Sequence, residues 1–176
     1  HLPRGDTEER HGVAEARALR LQIIDQPLAP LATVAVNRSA SEWSAAVKDV
    51  CTQAGADDVG IAAMRPAWVF EGYEVPRERW VVVIAVAHDY DKIRAAPEEA
   101  AAAEVIRQYA RGNRIAKALA SWLRGQGHDA VPHGGPMAGP ITLIPPAIAC
   151  GMGELGKHGS LIHRRFGASF RLASVL

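Results

Sequence analysis

The run WVVVIAVA at residues 80–87 is what most limits the fold of this chain. It is nearly all apolar and rich in β-branched residues, the pattern of a strand covered on both faces. It ends abruptly in His88, Asp89, Tyr90 and Asp91. Polar groups at the end of a central strand are a common place for a site; the bland reading is a solvated turn. The neighbouring sequence supplies the layers. Ser39 or Ser41 can cap a helix that carries Trp43, Val47, Val50, Cys51 and Ala54 on one face and stops at Gly55. Residues 57–64, DDVGIAAM, read as a second strand. Pro97 opens a long helix, with Glu98 and Glu99 in its first turn and Val105, Tyr109, Ile115, Leu119 and Trp122 on its apolar face. Gly112 marks a kink or break in it. Residues 128–133 and 170–176 read as further strands.

A glycine-rich stretch at residues 145–167 is the best candidate for chemistry. Four glycines (Gly151, Gly153, Gly156, Gly159) fall within nine residues. One acid, Glu154, is followed only by bases: Lys157, His158, His163, Arg164 and Arg165. Glycine lets a backbone approach a ligand closely, and exposed N–H groups beside cations make an anion-binding concavity. The segment 151–156 matches G-x-G-x-x-G, but it follows no clear strand and has no acid about 20 residues on. It is therefore not read as a dinucleotide fingerprint. The bland alternative is a turn that lets two elements pack closely.

At 176 residues with a net charge of +1, the chain makes one domain and gives no global argument for nucleic acid or a membrane surface. Its bases are not interleaved with stacking aromatics, which argues against nucleic acid. No apolar run approaches a bilayer span. Cys51 and Cys150, the only cysteines, cannot supply a four-thiolate cluster and read as buried thiols, with one disulfide as the alternative. With no secretion-signal pattern, a cytoplasmic protein is expected. Residues 1–38 read as an N-terminal arm, with an apolar part able to reach a neighbour, and residues 39–176 as the domain. Two loops are candidate ligand walls: residues 66–79, with Trp68, Phe70 and Tyr73, and residues 132–146, with five prolines, three glycines and an apolar set that includes Met137. Core packing is the plainer role for those aromatics.

Taken in order, WVVVIAVA with HDYD, then YARGNRIAKALASWLRGQG, AVPHGGP and GMGELGKHGSLI, ending in a strand with Arg171, resemble the cobalamin-binding domain of the reductive dehalogenases. The epoxyqueuosine reductases are more distant, and GPITLIPPA lacks the acid they carry there. The resemblance covers roughly residues 43–176. It implies an α+β sandwich like that of flavin nitroreductases, with a mixed or antiparallel sheet flanked by helices. It implies base-off cobalamin, reductive removal of halide from an organohalide, and cob(I)alamin as reductant. Gly151, Met152, Gly153, Glu154, Leu155, Gly156, His158, Gly159, Ser160 and Arg171 would hold the cofactor. Lys157 would be the basic partner of a catalytic tyrosine, for which Tyr90 and Tyr109 are both candidates. The family also uses two [4Fe–4S] clusters, whose cysteines this sequence lacks, so electrons would come from a ferredoxin-like segment or a separate donor. A non-catalytic cobalamin carrier and an FMN-dependent nitroreductase-like enzyme are the competing readings, with Arg17, Arg20 and Arg38 available to a flavin phosphate.

Overall fold

A computed structural model describes residues 7–135 and 139–176, with side chains from residue 12 onward. Met137, expected in the apolar loop, lies outside the described residues. In chain order the elements are α1 (Thr7–Asp25), α2 (Ala40–Gln53), β1 (Asp58–Ala63), β2 (Trp80–Ala87), α3 (Tyr90–Ile93), α4 (Glu99–Gly125), β3 (Pro132–His133), α5 (Ile144–Ala149), β4 (Gly153–Leu155), β5 (Leu161–His163) and β6 (Phe170–Val175), with one 3-10 turn at Pro66–Trp68. The main sheet runs β1-β2-β6-β3, and β4 and β5 form a separate hairpin. Every pairing is antiparallel. The fold is α+β.

The apolar run is β2, at the centre of the sheet. Val82, Ile84 and Val86 face Ile115 and Leu119 of α4 and Val47 and Cys51 of α2. Val81, Val83 and Ala85 face Ala147 of α5, Trp68, Met152 and Leu161. Each buried Val or Ile contributes about 1.5–3 kcal/mol relative to exposure. Such runs are commonest in parallel sheets, where crossover helices cover both faces. Here the antiparallel β2 is covered differently. The long helices α2 and α4 lie on one face, while short α5, the 3-10 turn and the hairpin cover the other.

Local signals account for most boundaries. Ser39 caps α2 through a complete capping box with Glu42. α4 starts at Glu99, with Glu98 at the N-cap position but making no side-chain cap, so Pro97 precedes the helix rather than opening it. Gly112 does not break α4, which runs through it unbroken. A Cβ there would sit 3.3 Å from that of Ala173, so the glycine lets helix and sheet approach closely. α5 has no helical pattern in sequence; Pro145 and Pro146 occupy its first turn, where missing N–H groups cost nothing. Both cysteines are free thiols, and burial pushes Cys51 up to about 12. No helix among the described residues is long and apolar enough to cross a membrane.

Candidate functional site

The site begins with an incomplete strand pairing. β6 is bonded along its length to β2, but on its other side β3 meets only Ser174 and Val175. Leu176 exchanges backbone hydrogen bonds with Val131 on that side. Alternation along an antiparallel strand turns the amides of Leu172 and Phe170 the same way, and among the described residues no strand receives them. A cavity of about 480 Å³ lies along this open edge, lined by Tyr109, His158, Ser160, Leu161, Phe170 and Arg171 together with Phe70 and residues 141–144. Its roof is built where the two candidate loops meet: the Phe70 amide donates to Pro140 O at 2.9 Å, and Thr142 N to Trp68 O at 2.9 Å. Phe70 lines the cavity, Trp68 is core, and Tyr73 is exposed.

Tyr109 comes from α4 and Arg171 from β6. The Arg171 guanidinium lies 5.0 Å from the Tyr109 ring centre, and that of Arg20, from α1, lies 5.5 Å from the same ring. Below them His88 follows β2. Its Nδ1 is 3.5 Å from Ser169 Oγ, and its Nε2 is buried with no hydrogen-bond partner among the described residues. Burial, then the Arg171 charge, pushes His88 below the ordinary histidine range; Glu104 opposes this. Glu104 is fully buried and accepts from Asp89 N at 2.8 Å and Gln108 Nε2 at 2.7 Å.

The glycine-rich stretch is the β4–β5 hairpin, not a strand-to-helix turn, so G-x-G-x-x-G opens no helix here. Its turn closes through Gly156 N to Ser160 O at 2.8 Å and Gly159 N to Gly156 O at 2.9 Å, and the Ser160 amide donates to His158 Nδ1 at 3.1 Å. Gly151 and Gly159 take positive φ with open space around them. The hairpin is tied to β1 by His163, whose buried Nε2 is 3.2 Å from Asp58 Oδ2, off the line of a good hydrogen bond.

The fold thus brings Tyr109, His158, Ser160 and Arg171 to one cavity. It does not bring the others there. Lys157, Glu154 and Leu155 are exposed on the hairpin, and Met152 is core. Gly153 lies under Ile162 O in the β4–β5 pair. Tyr90 is 70% exposed at the start of α3. Sequence reasoning missed Glu104 and the approach of Arg20. The one available signal was an acid followed four residues later by Gln108 within a helix otherwise rich in alanine. Among the described residues no group of three or more His, Cys, Asp or Glu is placed to hold a metal ion.

No family model matches the chain. Tetrachloroethene reductive dehalogenases of Desulfitobacterium hafniense and of Dehalobacter restrictus are each 32% identical over 121 residues, which is 69% of this chain and 21% of theirs. A solved reductive dehalogenase, whose structure suggests a mechanism for B12-dependent dehalogenation, shares the fold at a TM-score of 0.71 and 23% identity, covering 95% of this chain and 24% of that one. The catabolic reductive dehalogenase NpRdhA in complex with 3-bromo-4-hydroxybenzoic acid gives 0.71 and 24%, covering 94% and 23%. The chain therefore spans about a fifth of the curated relatives and about a quarter of the solved ones. With sequence likeness across two thirds of its length and a shared fold, this chain belongs to the reductive dehalogenase family.

Proposed function

We propose that this chain forms the cofactor and substrate end of a cobalamin-dependent reductive dehalogenase, on a nitroreductase-like sandwich. The observation that carries the reading is the Tyr109–Arg171 pair on the wall of the cavity along the open edge of β6. The net reaction takes an organohalide, two electrons and one proton to the reduced carbon compound and a halide ion. Tyr109 supplies the proton to carbon. Arg171 holds the phenolate that remains, and the proton is restored from solvent between turnovers. This reading puts the basic partner at Arg171 in place of Lys157.

The residues present fit one face of a corrin. The amides of Phe170 and Leu172, which no strand among the described residues receives, suit its carboxamides, and the hairpin with Gly151, Gly156, His158, Gly159 and Ser160 offers backbone to its nucleotide tail. Lys157 stands at the same turn, where it can meet the tail phosphate. When bound, cobalamin would supply the reducing equivalents. The electrons reach it from iron–sulfur centres in polypeptide other than the residues described, or from a separate donor.

Titration of the purified chain with hydroxocobalamin, followed by its ultraviolet–visible spectrum, tests the reading. Stoichiometric binding with a base-off spectrum is expected. A spectrum that stays that of free, base-on cofactor at saturating protein overturns it, and FMN titration then tests the flavin alternative.

A further inference from the structure

Among the described residues, Tyr109 has two cations on its ring and no carboxylate ion-paired to either. Arg20 and Arg171 lie 5.5 and 5.0 Å from the ring centre. The Nε of each is buried and finds no hydrogen-bond partner among the described residues. Among the described residues, no carboxylate forms an ion pair with either. The one buried acid of this region, Glu104, already accepts from the Asp89 amide and from Gln108. Gly135 completes the surroundings. Its φ is +126°, and a Cβ there would lie 3.5 Å from Arg20 Nη2 and 3.5 Å from Tyr109 Cδ1, so the bare backbone closes against both.

Two partly buried guanidinium groups around one ring repel each other and leave donors unsatisfied. Each unmet donor costs free energy, and a counter-charge relieves both costs at once. We propose that Arg20 and Arg171, whose guanidinium groups both lie over the Tyr109 ring, form a binding site for one monovalent anion. The inference rests on the dehalogenase reading for its source of anion. The reaction releases a halide, and a halogenated acid substrate would bring a carboxylate. Guanidinium N–H groups donate to either. On this view α1 is part of the site, because it delivers Arg20.

The test needs no cofactor. The chain is titrated with sodium bromide and, separately, with sodium benzoate, at an ionic strength fixed with sodium fluoride, and thermal stability is read at each concentration. Crystals soaked in bromide are examined at the bromine absorption edge. Saturable stabilisation is expected, with an anomalous peak in contact with both guanidinium groups. Arg20→Gln should weaken it by about tenfold or more, and Arg20→Lys should keep part of it. Arg17→Gln, an exposed arginine of the same helix, should leave it unchanged. Saturation by bromide marks the released halide as the occupant; saturation by benzoate alone marks a substrate carboxylate. If Arg20→Gln loosens α1, its stability without anion falls, and the Arg20→Lys crystal decides by keeping or losing the peak. Non-saturating responses to both anions, or equal responses in Arg20→Gln and the parent chain, overturn the proposal. Cobalamin binding without anion binding sinks this inference alone. Anion binding without cobalamin binding leaves the site standing and removes the dehalogenase reading.

Discussion

Arg171 and Tyr109 meet from different layers, one on the last strand of the sheet and one on the long helix, with 5.0 Å between guanidinium carbon and ring centre. They are 62 positions apart in sequence, so only the fold makes them a pair. If Tyr109 is the proton donor, Tyr109→Phe in a dehalogenase containing this chain should lower the turnover rate by about 10²–10⁴-fold. Hydroxocobalamin affinity should be unchanged, since the ring remains. Arg171→Gln should lower turnover similarly, and Lys157→Ala, on the exposed turn, far less. Full turnover by Tyr109→Phe would remove the assignment.

The sequence revealed more of the fold than of the site. β2 was legible because eight consecutive apolar residues leave little choice, and α2 because Ser39 and Glu42 write a cap into the chain. The site was harder for a physical reason. The hairpin glycines were visible as glycines, but whether Gly151 faces open space while Gly153 lies under a carbonyl depends on a strand pairing that no local pattern encodes. Choosing between Tyr90 and Tyr109 required knowing which helix crosses the end of β6. Lys157 drew attention by its motif, whereas Arg171 gained its partner through the sheet. Arg20 sits in a charged, weakly amphipathic helix that offers nothing to single it out.

The hairpin depends on a buried pair. His163 has a fully buried side chain, stacks on Phe166 at 4.3 Å between ring centres, and accepts from the Arg165 amide through Nδ1 at 3.1 Å. That leaves Nε2 to carry its hydrogen toward Asp58 Oδ2 at 3.2 Å, beside Arg164 at 3.5 Å. Asp58→Asn keeps the shape and removes the charge. It should destabilise the chain by about 1–3 kcal/mol, the usual cost of leaving a buried polar group poorly matched. Urea unfolding of the single and double variants with His163→Gln measures the coupling. Additive effects would show that the two residues do not act together.

Stability should also follow these imidazoles in pH. Burial, as the first cause, pushes both His163 and His88 below the ordinary value of 6.5; nearby arginines add to it and Asp58 and Glu104 oppose it. The unfolded chain therefore binds protons that the folded chain resists. The stabilisation is complete above about pH 6.5 and is lost as pH falls through the folded values. Asp89, held down by Lys92, and Glu42, held down by Ser39, lose their contributions only at lower pH, below their ordinary values of 3.8 and 4.5. Melting temperature should be flat from about pH 8 to 7 and then decline toward about pH 5. His88→Gln should flatten part of that slope. An unchanged melting temperature across the window would contradict the assignment.

Gly153 on one side and Gly151 and Gly159 on the other are two kinds of glycine, and alanine substitution should separate them. A Cβ on Gly153 would stand 2.0 Å from Ile162 O and 2.9 Å from His163 Cα, both backbone atoms that cannot move without breaking the β4–β5 pair. Gly153→Ala should therefore cost about 3 kcal/mol or more, toward or beyond the upper end of overpacking penalties, and should loosen His163 from Asp58. Gly151 and Gly159 meet nothing within 4 Å, but each holds φ near +80°. Alanine there should cost only about 1–2 kcal/mol of backbone strain. Their value on the dehalogenase reading is to the cofactor, whose tail a methyl group would hold off. Gly159→Ala should thus weaken hydroxocobalamin binding more than it lowers melting temperature, while Gly153→Ala should do the reverse. Equal ratios of affinity loss to stability loss in the two variants would mean that the open glycines serve only the turn.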